Sequence, residues 1–184
     1  MKHSSILKLT VSGLLIAVGI VIPVVSPLKI IIEPASFTLA SHVAIFIAMF
    51  ISPGVAAAVV LGTTLGFFIG GFPVVIVLRA ASHIVFAVMG ALYIKRAMTA
   101  GFSAVKRRVF SFIVALTHAI CELFVVSLFY FSRQMITVYY QQGFLKSVLL
   151  LVGLGTVIHS MVDFELAQLV LLPLKRQIGS IART

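Results

Sequence analysis

Charge is scarce in this sequence. Asp, Glu, Lys and Arg make up 10% of its 184 residues, against about 25% in an ordinary soluble domain. Cysteine occurs once, as Cys121, so no disulfide can form within the chain and a buried, inert thiol is the default. No Gly-rich phosphate loop with its Lys and Ser or Thr is present, which excludes the usual route to ATP hydrolysis by this chain alone. No HExxH or paired-Cys signature marks a metal site, and no nucleophile elbow with His and acid partners marks a hydrolase. Nor is there an obvious inverted repeat to support a complete secondary transporter.

Apolar residues, at 61%, dominate what is there, and nearly every window of about 20 residues is hydrophobic enough to cross a bilayer. The expectation is an all-α integral membrane protein forming one domain over residues 1–184. Six apolar segments emerge, over about 7–25, 38–52, 55–69, 74–93, 109–131 and 147–174, separated by breaks such as "SPG", "GGFP" and the basic "KRAMTAGFSAVKRR". The second and third are short for a full span. The first follows a charged start but has no small-residue cleavage site, so it reads as a retained helix rather than a signal peptide.

The fourteen basic residues set the orientation. With both termini cytoplasmic, ten of them fall on that side: Lys2, Lys8, Lys95, Arg96, Lys106, Arg107, Arg108, Lys175, Arg176 and Arg183. Only Lys29, Arg133 and Lys146 fall on the other, with Arg79 inside a helix. The net charge of +10 then reflects anionic headgroups and the positive-inside rule, and nucleic acid is not needed as a partner.

Ionisable residues inside the spans carry most of the information. Arg79 and His83, His118 and Glu122, and His159 and Asp163 are each spaced i, i+4, so each pair shares one helix face, with Glu165 near the last. Intramembrane charges are costly and normally face a protein interior or wet cavity. By counting from helix ends, Arg79 and Glu122 fall at compatible depths, roughly 9 and 13 Å from the outer surface, while Asp163, roughly 24 Å down, belongs nearer the cytoplasm. These residues could equally be a structural ion pair and polar glue between helices, and His42, alone in "TLASHVAIF", reads as structural. Ala58, Gly62, Gly66 and Gly70 form a small-residue ridge suited to close packing, with a shorter version at Gly13 and Ala17.

This order of features resembles the substrate-binding S components of energy-coupling factor (ECF) transporters, which take up vitamins in bacteria. The first helix "LTVSGLLIAVGIVIP" and the stretch "PASFTLASHVAIFIAMFISPGVAAAVVLGTTLGFF" are similar to the family's first three helices, and the niacin branch is the nearest in appearance. The resemblance implies a six-helix, N-in and C-in bundle in the plasma membrane. It implies no catalysis and no resident cofactor. The outward pocket would be built from helices four to six and capped by the loop after helix one. Its partners would be a transmembrane scaffold protein and two ATPases, on which such proteins topple to release their vitamin. The family's Ala-x-x-x-Ala docking motif falls on Gly13 and Ala17, with Gly replacing the first Ala.

On that reading Arg79 is suited to a ligand carboxylate such as that of nicotinate. His83 and His118 face the pyridine nitrogen, and Glu122 orients Arg79. Phe67, Phe68, Phe72, Tyr139 and Tyr140 stack on or cap the ring, unless they are packing and interfacial aromatics. Pantothenate also has a carboxylate, and cobalamin or folate would need a larger aperture. A metal-ion branch of the family carries His directly after the first Met, where this chain has Lys2 before His3. A membrane-embedded enzyme using His118 and Glu122, or a structural or sensory subunit, are the alternatives of other classes.

Overall fold

The computed structural model describes residues 2–32, 35–97 and 103–183, with side chains over 5–29, 37–97 and 103–174. Helix α1 (Lys2–Val25) leads into an antiparallel pair of strands, β1 (Lys29–Ile32) and β2 (Ala35–Thr38), with Lys29 opposite Thr38 and Ile32 opposite Ala35. Then come α2 (Val43–Ile51), α3 (Pro53–Ile69), α4 (Val74–Ala97) and α5 (Ala104–Phe131). The short α6 (Thr137–Phe144), a π-helical stretch (Leu145–Leu154) and α7 (Gly155–Arg183) complete the chain.

The strand pair is the one departure from the all-α expectation among the described residues. Its first strand draws on three consecutive Ile, β-branched residues that favour extended backbone. Helix ends follow local chemistry. The Ser52 hydroxyl accepts from the Val55 N–H with Pro53 at the first helical position, and Ser103 does the same for Lys106. Gly143, at φ 77°, breaks α6 from the π-helical stretch, and the Ser147 hydroxyl lies within 2.7 and 2.8 Å of the freed carbonyls of Tyr139 and Gly143.

Four helical stretches are long and apolar enough to cross a membrane: Ser5–Val25, Val74–Ala97, Ala104–Phe131 and Thr137–Leu174. Helix α3 has 17 residues and α2 only nine. Four helical bounds also run past the apolar segments into charged sequence, because hydropathy reports the greasy stretch and not the hydrogen-bonded helix that continues beyond it.

Helix α2 is buried along nearly its whole length and packs against α3, α4 and α7. Its Phe46 meets Phe86 of α4 and Phe164 of α7 at ring-centroid distances of 5.9 and 5.4 Å. The outward faces are just as apolar: Leu61, Phe112, Ile113 and Phe124 are all exposed on the bundle surface, as in a helix that faces lipid. With lipid as apolar as the core, packing and polar contacts hold the helices together. The middle of the small-residue ridge does this. A Cβ on Gly62 or Gly66 would run into Ile16 or Ile20 of α1, so these glycines set how closely α1 and α3 approach.

Candidate functional site

A cavity of about 250 Å³ opens at the end of the bundle that carries the strand pair. Its walls come from more of the chain than helices four to six. Lys29 and Phe37 of the strand pair, His42 before α2, Thr63 and Phe67 of α3, Arg79 and His83 of α4, Glu122 of α5, and Thr156 and His159 of α7 all line it. Phe67 stacks on Phe72 with centroids 4.7 Å apart and an interplanar angle of 26°, forming an aromatic wall.

Glu122 is the hub of the inner wall. It is 3% exposed, and its Oε2 accepts from Arg79 Nη2 at 2.9 Å and from the Thr156 hydroxyl at 2.7 Å. Its Oε1 lies 3.3 Å from His83 Nε2 and 3.5 Å from His118 Nε2. A buried carboxylate is tolerable only when paired and hydrogen-bonded, and four partners from three helices meet that need. Arg79, by contrast, keeps capacity in reserve. Its side chain is 22% exposed, it lines the cavity, and its Nε has no hydrogen-bond partner. The Thr63 hydroxyl, also in the cavity wall, is another buried donor without a partner.

Asp163 organises a second set of contacts. Its Oδ1 accepts from the Ala40 N–H at 2.7 Å, and its Oδ2 accepts from the His42 N–H at 2.9 Å. Oδ2 also lies 3.1 Å from His42 Nδ1 and 3.3 Å from His159 Nε2. The carboxylate thus caps the start of α2 from another helix, binding the backbone donors that open a helix and lack intrahelical partners. It also holds Ala40 at φ 68°, a left-handed conformation that non-Gly residues seldom adopt. Ser41 joins the cluster, its hydroxyl 3.1 Å from both His42 Nδ1 and His159 Nε2.

The three i, i+4 pairs therefore converge, as their shared faces suggested. Asp163 sits about two turns further along α7 than Thr156. It is not isolated from the upper group, because His42 bridges the two. The His42 ring centroid is 4.9 Å from that of His83, 4.7 Å from His118 and 5.1 Å from His159. His118 is fully buried behind the cavity wall, and Glu165 is exposed on the outside of α7. The nitrogens of His42, His83 and His118 lie within 4.8 Å of one another, a grouping able to hold a metal ion, as is that of His42, His159 and Asp163.

Three expected ring contacts are not made. Phe68 is 67% exposed and points away from the cavity, since consecutive helical residues differ by about 100° and Phe67 takes the inward direction. Tyr139 is buried, but against Val126, Val148 and Val152, and it does not line the cavity. The Tyr140 hydroxyl accepts from the Met135 N–H and its ring lies under Arg133, so it secures the α5–α6 turn. Conversely, His42, Thr63 and Thr156 were not anticipated at the cavity, whereas Lys29 and Phe37 fall in the expected cap after helix one. Of the three, Thr156 alone had a signal, being three residues before His159 and so on its face. Gly13 and Ala17 are both exposed, and a Cβ on Gly13 would meet nothing within 4 Å.

The chain is 43% identical over 166 residues to the niacin transporter NiaX of Lactococcus lactis subsp. cremoris (strain MG1363), a match covering 90% of this chain and 73% of that protein. No family model and no solved structure matches it.

Proposed function

Because the chain belongs to the niacin-type S components of ECF transporters, a group of multi-pass plasma-membrane transport proteins rather than enzymes, we propose that its cavity is a high-affinity nicotinate site. The observation that carries this reading is Arg79: a guanidinium in the cavity wall with an unpartnered Nε, in the same cavity as the stacked pair Phe67 and Phe72. Arg79 receives the carboxylate through its free donors, while Glu122 holds the guanidinium from behind. The ring lies against Phe67 and Phe72. His83 is the cavity donor or acceptor for the pyridine nitrogen, with His118 behind it. A volume of about 250 Å³ suits a single-ring vitamin and is too small for cobalamin or folate, being under the roughly 300–1,000 Å³ of drug-sized ligand pockets.

In the membrane both termini lie in the cytoplasm and the cavity opens outside, a reading supported by the ten-to-three split of basic residues. Its six helices are α1 to α5 and the α6–α7 unit, with the nine-residue α2 enclosed by its neighbours. Transport requires the scaffold protein and two ATPases, docked at the exposed Gly13 and Ala17.

The test is thermal stabilisation of the purified chain across a panel of B vitamins. A ligand at 100 times its dissociation constant adds about 2.7 kcal/mol to the folded state. Nicotinate is expected to stabilise and nicotinamide, lacking the carboxylate, to do so far less. Stabilisation by pantothenate alone would overturn the substrate, and equal stabilisation by nicotinate and nicotinamide would overturn the role of Arg79.

A further inference from the structure

We propose that His42, His83 and His118 form a binding site for a divalent transition-metal ion of the zinc class, opening onto the vitamin cavity. Their ligand nitrogens already lie within 4.8 Å of one another. An ion bound tetrahedrally at about 2.0–2.1 Å spaces imidazole nitrogens by about 3.4 Å, a contraction that side-chain rotation can supply. The rings stand nearly orthogonal, at 70° to 84°, with centroids 4.6 to 4.9 Å apart, so no two of them are stacked face to face.

The outer nitrogens are held as metal sites require. Asp163 lies 3.1 Å from His42 Nδ1, a carboxylate that holds the proton on that nitrogen and turns the Nε2 lone pair toward the other two rings. Ser160 Oγ lies 3.3 Å from His118 Nδ1, leaving His118 Nε2 on the inner side with Glu122 Oε1 3.5 Å away. His42 and His83 line the cavity while His118 lies behind them, so three protein ligands leave a fourth position facing the cavity.

A divalent ion adds positive charge beside Lys29 and Arg79 in a cavity wall whose one carboxylate is Glu122, and so further favours an anionic ligand. The open fourth position also suits a pyridine nitrogen, a donor of the same kind as imidazole, which with the ion bound meets the metal in place of His83. The ion site stands on geometry; its coupling to the vitamin rests on the niacin reading above.

The experiment uses the full chain in detergent, stripped with a chelator and titrated with Co²⁺ with no vitamin present. One Co²⁺ per chain is expected, with the strong visible absorption of tetrahedral cobalt, displaced by Zn²⁺. His118→Gln should weaken Co²⁺ binding about 100-fold or more, and Asp163→Asn about 10- to 100-fold. His118→Cys should retain the ion and add a thiolate-to-cobalt charge-transfer band, so the assignment is testable even if the Gln variant fails to fold. Absence of tetrahedral absorption from folded wild-type protein would overturn the site. Retention in His118→Gln with loss in His159→Gln would do the same, by moving the ion to His42, His159 and Asp163. Nicotinate should then bind about tenfold tighter or more with saturating Zn²⁺ than after chelation. Equal affinity would overturn the coupling, and cobalt absorption with no vitamin binding in either state would overturn the niacin reading while leaving the ion site in place.

Discussion

Replacing Arg79 with an apolar residue of similar length should damage the fold as well as the binding site, and by an amount the geometry sets. Arg79 Nη2 lies 2.9 Å from a Glu122 carboxylate whose side chain is 4% exposed, whereas that of Arg79 is 22% exposed. Arg79→Met therefore strands the more buried partner. Removing one member of a buried pair costs about 3–5 kcal/mol, and the lower figure applies here because Thr156 and two imidazoles still face the carboxylate. At about 2–4 °C per kcal/mol for a chain of this size, the melting temperature should fall by about 6–12 °C. Glu122→Gln keeps an acceptor for Thr156 and leaves a guanidinium with access to the cavity, so it should cost only about 1–1.5 kcal/mol. The double variant removes both charges and should be more stable than Arg79→Met alone, giving a coupling of about 2 kcal/mol. The assay is thermal unfolding in detergent followed by circular dichroism. Additive single-variant effects, or an Arg79→Met protein that melts with the wild type, would refute the pairing argument.

The remaining predictions separate positioning, stacking and docking. Asp163→Asn puts an amide NH₂ opposite one of the two backbone donors, Ala40 or His42, that each need an acceptor, so nicotinate affinity should fall about tenfold as His42 is released, and stability by about 1–3 kcal/mol; titration calorimetry and melting curves read the two effects. Phe67→Ala should weaken nicotinate binding by about 0.5–1.5 kcal/mol while Phe68→Ala leaves it unchanged, since only Phe67 faces the cavity. Gly13→Leu and Ala17→Leu add bulk to an open face, so purified protein should bind nicotinate normally while uptake by an auxotroph stops.

Which of these residues the sequence made legible follows from the solvent. In water, an apolar stripe on a helix identifies its inward face. In lipid the outward face is apolar too, as Phe112, Ile113 and Phe124 illustrate, so hydrophobic periodicity no longer says which way a helix is turned. Only residues that lipid rejects retain that information. Arg79, His83, His118, Glu122, His159 and Asp163 were therefore readable as one inward-facing set, and the structure joins them through Glu122 and His42. Phe67 and Phe68 were indistinguishable, because both are content in lipid or in a cavity wall. His42 was hidden for a different reason. It precedes a nine-residue helix with no acid beside it, and its carboxylate partner lies 121 residues later. The three-histidine grouping is invisible in the same way, since its members come from before α2, from α4 and from α5, and no spacing motif spans them. Both cases depend on α2 being held in the middle of the bundle. That placement is set by packing between distant segments, and Asp163, by capping α2 from α7, converts it into the position of a cavity side chain.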